Sequence, residues 1–249
     1  MESKNTLSPF WAEKYKRESK KSWDKFYKRN ETRFFRDRHW LDREFDIYFG
    51  LPDKRPLTLL EVGCGVGNLV YPLLEVQPNL KVYCCDFSPR AIEFVEKHEH
   101  FNESSVVPFV CDITEDRLDQ WVPDGGVDTL TAIFVLSALP REKQQDAICN
   151  LSSVLSPKGH LVFRDYCDGD FAQEKFQQSS DPSLIDERTF VRQDGTISYF
   201  FVEDELNHWM ESAGLRLISL DRVSRTVDNR KRNLSMDRTF LQGVWEKCR

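Results

Sequence analysis

No apolar run in this sequence is long enough to cross a membrane as a helix. Even Val127–Leu139 is broken by Asp128 and two threonines. The opening stretch MESKNTLSPFWAEKYKRE lacks the apolar core of a secretory signal. Seven cysteines, an odd number, stand at Cys64, Cys84, Cys85, Cys111, Cys149, Cys167 and Cys248. They form no CxxC pair, and no histidine lies at a ligand spacing from them, so neither a disulfide framework nor a metal site is expected. Several sit inside apolar runs, where reduced thiols pack as small hydrophobes. A reducing compartment follows, the cytoplasm first and the nucleus second. Internal repeats and low-complexity segments are absent too.

What is present is a polar chain of 249 residues with 40% hydrophobic and 31% charged residues, enough for one domain with a decoration. Its net charge of −6 is unevenly spread. Residues 1–43 hold 13 Lys/Arg against 7 Asp/Glu, and residues 222–238 hold 6 against 2. The stretch between them, 44–221, holds 14 against 31. Two basic segments bracketing an acidic body fit a polyanionic partner. On charge alone they fit equally a solvated helix face and a solvated loop.

The first 43 residues read as helical, basic and rich in aromatics. Trp23, Phe26 and Tyr27 fall at i, i+3 and i+4, one helix face. This gives a helical N-terminal segment over 1–50, closed by a linker at Pro52 and Pro56. From residue 51 onward strands and helices alternate. LTLLEV, KVYCCD, VVPFVCD, VDTLTAIFVL and HLVFRDY read as strands, with Pro108 assigning the third to an edge. Helices are expected at 68–77, after the Ser88 cap and Pro89, and at 141–155. Near-continuous apolar strands alternating with helices mark an α/β parallel sheet buried on both faces. Residues 167–200 carry few signals and read as an insertion. Residues 203–213 form a helix closed by Gly214, and 215–223 and 239–245 read as an antiparallel strand pair around the basic segment.

The stretch LLEVGCGVGN (59–68) sets glycines at 63, 65 and 67. It lacks the Lys-Ser/Thr of a triphosphate loop, and the third glycine comes one residue early for the dinucleotide fingerprint. Acids surround it: Glu61 before the loop, Asp86 at the end of the second strand and Asp112 after the third. Strand ends of an open parallel sheet face the ligand crevice. There Asp86 can accept both ribose hydroxyls and Asp112 an exocyclic adenine amine. So many carboxylates suit a sulfonium with an amino-acid tail better than a pyrophosphate.

EVGCGVG with Asp86 and the CD at 111–112 resembles the cofactor motifs of class I S-adenosylmethionine-dependent methyltransferases. The resemblance implies a Rossmann-like, seven-stranded, mostly parallel sheet whose last strand is antiparallel. It also implies S-adenosyl-L-methionine as cofactor. Gly63 and Gly65 would admit the methionine and ribose, Phe87 would lie beside the adenine, Ile113 would join Asp112 at the adenine edge, and Ile133 would line the pocket floor.

Longer stretches are more specific. SWDKFYKRN (22–30), FFRDRHWLDREF (34–45), CDFSPRAIEFV (85–95), CDITED (111–116), IFVLSAL (133–139), LSPKGHLVFRDY (155–166) and FVRQDGTISYFF (190–201) resemble the tRNA 3-methylcytidine methyltransferases, from about residue 20 to about residue 245. Arg36 is a conservative departure in the FxKDRHW-like stretch. The resemblance implies methylation of cytosine N3 in the anticodon loop of particular tRNAs, with seryl-tRNA synthetase a partner of some relatives. It sets Trp23 and Tyr27 over the methionine end as a lid. Cytosine N3 is reachable only in an unpaired, splayed base, which stacks on aromatic or guanidinium planes. Phe34, Phe35, Arg36, Arg38, His39 and Trp40 form one such cluster, and Arg164, Arg192 and Tyr199 stand apart from it. Asp165 is the expected catalytic group, orienting the cytosine amine or balancing the charge of the product, unless Arg164 pairs with it. The residues leave open a methyltransferase acting on a protein or small molecule and a non-catalytic RNA-binding subunit. The first would need no basic arms, and the second would not need Glu61, Asp86 and Asp112.

Overall fold

A computed structural model describes residues 5–51, 53–229 and 234–248. Pro52 and the Arg-Lys-Arg run at 230–232 lie outside the described residues. The chain begins with a 22-residue helix, α1 (Pro9–Asn30), starting at proline after an extended Ser8. A connection without regular structure then leads to the short α2 (Leu41–Glu44) and a 3-10 turn at Asp46–Phe49. The expected helix over 1–43 is thus interrupted. The aromatic and basic cluster at 34–40 is a crossing segment, held by Arg38 N–H donating to the Asn68 carbonyl at 2.8 Å instead of by helical bonds.

β1 (Leu57–Val62), α3 (Val70–Val76), β2 (Leu80–Asp86), α4 (Pro89–Glu96), β3 (Val106–Val110), β4 (Val127–Ile133), α5 (Arg141–Ser153) and β5 (Leu155–Tyr166) follow. Then come α6 (Phe171–Gln178), β6 (Leu184–Asp186), β7 (Thr189–Val191), β8 (Ile197–Tyr199), α7 (Glu203–Ser212), β9 (Leu215–Asn229) and β10 (Leu234–Lys247). The main sheet has the order β3-β2-β1-β4-β5-β10-β9. β10 alone runs against its neighbours, pairing antiparallel with both β5 and β9. β3, carrying Pro108, is at the edge, as its proline requires. The basic segment 222–238 is no loop: its described part lies in the long β9–β10 ladder.

Successive strand residues point to opposite faces, and two cores result. Leu60, Val62, Leu161 and Phe163 pack on the α5–α7 face. Leu57, Leu59 and Val162 pack on the other face, with α3, Phe45 and Phe49. The insertion is more ordered than its sequence predicts. Asp170 caps α6 by accepting the Ala172 amide at 2.8 Å, and β6, β7 and β8 form a second, antiparallel sheet. Strands of three residues are too short for their alternation to be read.

This small sheet carries the start of α1. Ala12 packs on Ile185, Val191 and Ile197, and Leu7 N–H donates to the Leu184 carbonyl at 2.8 Å. The far end of α1 packs through Phe26 and Tyr27 on Val66 of the glycine loop and Ala91 of α4. A helix of this length spans about 33 Å, so α1 bridges the C-terminal strand ends from the insertion to the glycine loop.

Alternation also decides the fate of Arg164, which points to the face opposite its neighbour Asp165. It is buried there, 4.0 Å from the Trp40 ring centroid and 3.0 Å from Glu44 Oε2. The other oxygen of Glu44 takes Arg225 of β9. Burial lowers the pKa of Arg164, and Glu44 offsets part of that cost. Glu44→Ala strands a buried guanidinium and is expected to cost about 3 kcal/mol, read as a lower urea midpoint with unchanged slope. A loss no greater than that of Arg225→Ala would show that Arg164 does not depend on this partner.

Candidate active site

Two cavities abut at the C-terminal ends of β1 to β5. The first, of about 410 Å³, lies between α1 and the ends of β2 and β3. The second, of about 390 Å³, lies between α1, the crossing segment and the insertion. They share Trp23, Tyr27, Gly63, Phe134 and Ala138 as a common wall.

The glycine loop lies bare against this wall. Gly63 and Gly65 have φ of 59° and 56°, conformations that glycine adopts at no steric cost. A Cβ on Gly63 would overlap the Val135 side chain, and one on Gly65 would stand 3.2 Å from the Tyr27 hydroxyl. Asp86 ties the loop to its surroundings. Its Oδ2 accepts the Gly65 amide at 3.1 Å and the Tyr27 hydroxyl at 3.3 Å, and its Oδ1 accepts the Ser88 amide at 2.9 Å. Burial nonetheless raises its pKa to about 6. Behind the loop, burial pushes Glu61 up to about 8, against the pull of Arg38. Its Oε2 has no hydrogen-bond partner among the described residues, and neither does Trp23 Nε1.

The first cavity gathers Phe87, Asp112 and Ile113 beside Asp86. Asp112 Oδ1 accepts from the Thr114 amide and hydroxyl at 2.9 and 2.7 Å, and Lys20 of α1 forms an ion pair with Asp112 and Glu115. Burial alone would raise the pKa of Asp112, but the bonds from Lys20 and Thr114 outweigh it and leave it lowered. Lys16 reaches Glu142 at 3.1 Å, so α1 is pinned along the whole cavity. Lys16, Lys20, Trp23 and Tyr27 fall at i, i+4, i+7 and i+11 on one helix face, so the helical periodicity that groups the aromatics also marks the two lysines.

The second cavity gathers Phe35, Arg38 and Arg192 with Phe134, Tyr166 and Arg238. Tyr166 has the Arg192 guanidinium 5.3 Å and the Arg238 guanidinium 5.5 Å from its ring centroid. Phe134, left-handed at φ 59°, stands 5.3 Å from the same ring. Phe134, Val135, Tyr166, Lys20 and Arg238 were not singled out in the sequence, although Phe134, Val135 and Tyr166 stand in motifs quoted there.

Several expected residues lie elsewhere. Ile133 is buried in the core and lines neither cavity; its carbonyl accepts Arg38 Nη1 at 3.0 Å, and its two successors form the floor. Tyr199 is fully buried and its hydroxyl binds Glu205, which also holds Arg188 and Arg141. It braces the insertion against α7 and is no RNA-contact residue. Trp40 and Arg164 stack together on the far face of the sheet. Arg36 and His39 are exposed on the crossing segment, outside both cavities. Asp165 is fully buried and lines neither cavity. Its Oδ2 accepts the Ser137 amide and its Oδ1 the Tyr166 amide, both at 2.9 Å. Burial raises its pKa to about 6. It therefore holds two lining residues in place and does not itself face the cavity.

The first cavity fits S-adenosylmethionine. Its size is that of a small-molecule site. Asp86 and Asp112 are placed for ribose hydroxyls and an adenine amine, and the glycine backbone admits close approach. Behind the loop, lining neither cavity, the Glu61 carboxyl with its unpartnered Oε2 favours the cationic end of that ligand. A profile described as a methyltransferase domain matches residues 18–220. A tRNA N(3)-methylcytidine methyltransferase of Schizosaccharomyces pombe is 76% identical over 241 residues, covering 97% of each chain. A tRNA N(3)-cytidine methyltransferase of Mus musculus is 43% identical, covering 97% of this chain and 85% of its own. Among solved structures, a SAM-dependent methyltransferase from Anabaena variabilis superposes with a TM-score of 0.66 at 14% identity, covering 91% of this chain and 94% of its own. At that identity it shows the shared fold.

The two raised carboxyls set a pH dependence. Each stays neutral to higher pH than an ordinary carboxyl, whereas a cationic ligand favours the ionised form. Cofactor affinity measured by calorimetry is expected to weaken as pH falls from about 8 to about 5. Glu61→Gln should flatten the upper part of that curve, and an unchanged profile in this variant would show that Glu61 does not sense the cofactor.

Proposed function

Because the chain belongs to the tRNA N(3)-methylcytidine methyltransferase family, we propose that it forms 3-methylcytidine in the anticodon loop of particular tRNAs, with S-adenosylmethionine as methyl donor. The observation that carries this reading is the pair of abutting cavities. One presents Asp86 and Asp112 beside Phe87, the other presents arginines and aromatics, and they meet at Gly63.

When bound, S-adenosylmethionine supplies an electrophilic methyl group. Neutral cytosine already has a lone pair on N3, so no residue has to remove a proton first. What the chain contributes is position: nucleophile and methyl must be in line at near-attack distance. Trp23 and Tyr27, on a helix pinned by Lys16 and Lys20, close the cofactor cavity from water. Tyr166, Phe134 and Phe35 offer ring faces to a splayed base, and Arg192 and Arg238 flank them. Asp165 acts as a positioning residue, fixing Ser137 and Tyr166 through their amides. Arg36 and His39, exposed on the crossing segment, meet the RNA backbone outside the base cavity, and the basic faces of α1 and the β9–β10 ladder extend that contact. Seryl-tRNA synthetase is the protein partner this membership recommends first, and the buried free thiols suit a reducing compartment, cytosol or nucleus.

Incubation with labelled cofactor and total tRNA, followed by nucleoside mass analysis, is expected to yield 3-methylcytidine. Label in a protein, in another nucleoside or in nothing would overturn the reading.

A further inference from the structure

We propose that Asp194 selects cytosine over uracil by accepting a hydrogen bond from the exocyclic amine of the acceptor base. The proposal rests on the base occupying the second cavity, as argued above. That cavity is lined by three arginines, Arg38, Arg192 and Arg238, and by a single carboxylate, Asp194. Asp165 is fully buried outside that lining, each oxygen accepting a backbone amide, so the amine does not reach it. Cytosine differs from uracil on the edge that carries N3: an amine donor replaces a carbonyl acceptor beside it. A cavity of arginines alone offers that edge only donors, which suits uracil. Reading cytosine calls for an acceptor, and a charged one also suits the positive charge that N3-methylation leaves on the ring.

Asp194 is built for this. It stands in the turn between β7 and β8, closed by Arg192 N–H to the Thr196 carbonyl at 2.7 Å. Its Oδ1 accepts the Thr196 amide at 3.0 Å and the Thr196 hydroxyl at 2.7 Å, which fixes the carboxylate plane. Its Oδ2 has no hydrogen bond among the described residues. None of the three arginines neutralises it: Arg238 is paired with Asp170, Arg192 donates to Ser198 Oγ at 3.1 Å, and Arg38 donates to the Ile133 carbonyl. The turn itself is held against α1, where a Cβ on Gly195 would come 3.0 Å from Ser22 Oγ. Two residues before Asp194, Arg192 lies over the Tyr166 ring and supplies a donor for the base carbonyl O2. Donor and acceptor thus project from one rigid turn.

The test compares full-length tRNAs carrying cytidine, uridine or 2-pyrimidinone riboside, which lacks only the amine, at the methylated position. Wild-type kcat/KM is expected to fall roughly 10- to 100-fold when the amine is removed, and uridine tRNA should compete for binding more weakly than cytidine tRNA. Asp194→Asn keeps the Oδ1 acceptor that holds the turn but turns the other oxygen into a donor. On cytidine tRNA it should lose roughly 10-fold or more in kcat/KM, whereas on the amine-free base it should match wild type, because there the contact is already gone. Its binding preference should shift toward uridine, while cofactor affinity stays at the wild-type value. A wild type indifferent to the amine, or losses that multiply independently, would overturn the role of Asp194 while leaving the activity standing. A wild type that methylates no tRNA would overturn the activity and this role together.

Discussion

One buried carboxylate organises the site. Asp86 joins three elements that are far apart in the chain: the glycine loop through the Gly65 amide, the start of α4 through the Ser88 amide, and the lid helix through the Tyr27 hydroxyl. Burial works against its charge, and the three donors recover part of the loss. The geometry of the two cavities follows. With Tyr27 drawn down onto Asp86, α1 closes the first cavity on one side and forms the wall of the second on the other. Lys16 and Lys20 fasten the same helix further along. They are partly exposed pairs, which contribute little each, so the lid is closed mainly by packing and by the Asp86 knot.

The sheet supplies the other constraint. Strand residues alternate between faces, so the RDY sequence at 164–166 sends three functions three ways. Arg164 goes to the Trp40 and Glu44 side and anchors the crossing segment. Asp165 goes to the opposite side and fixes the turn at Ser137. Tyr166, at the strand end, becomes the platform between Arg192 and Arg238. A cluster that looks like one recognition patch in the chain is thus divided between stability and the acceptor cavity.

Much of the donor side was legible in the sequence. The glycine spacing and the acids at 61, 86 and 112 depend on local order and on strand ends, which periodicity locates well. Pro108 gave the edge strand, and the reversed final pair gave the antiparallel β10. The acceptor side was harder to read because it depends on distant contacts. Tyr199 looks like an exposed aromatic in a polar stretch, but three-residue strands hid its alternation, and the structure turns it into the core against Glu205. The pocket floor begins one residue after Ile133, because the strand ends there and the left-handed Phe134 turns the chain into the cavity. Lys20 carried a signal in its spacing from Trp23 and Tyr27, whereas its partner Asp112 lies 92 residues away and no local pattern connects them.

One lid and one glycine loop thus separate a donor cavity from an acceptor cavity. A crystal structure with S-adenosylhomocysteine and a cytidine-containing anticodon stem-loop tests this separation most directly. Adenine is expected beside Asp112 and Ile113, the sulfur at the shared wall near Gly63, and the cytosine on Tyr166 between Arg192 and Asp194. Cytosine beside Asp86 and Asp112, or both ligands on the same side of that wall, would contradict it.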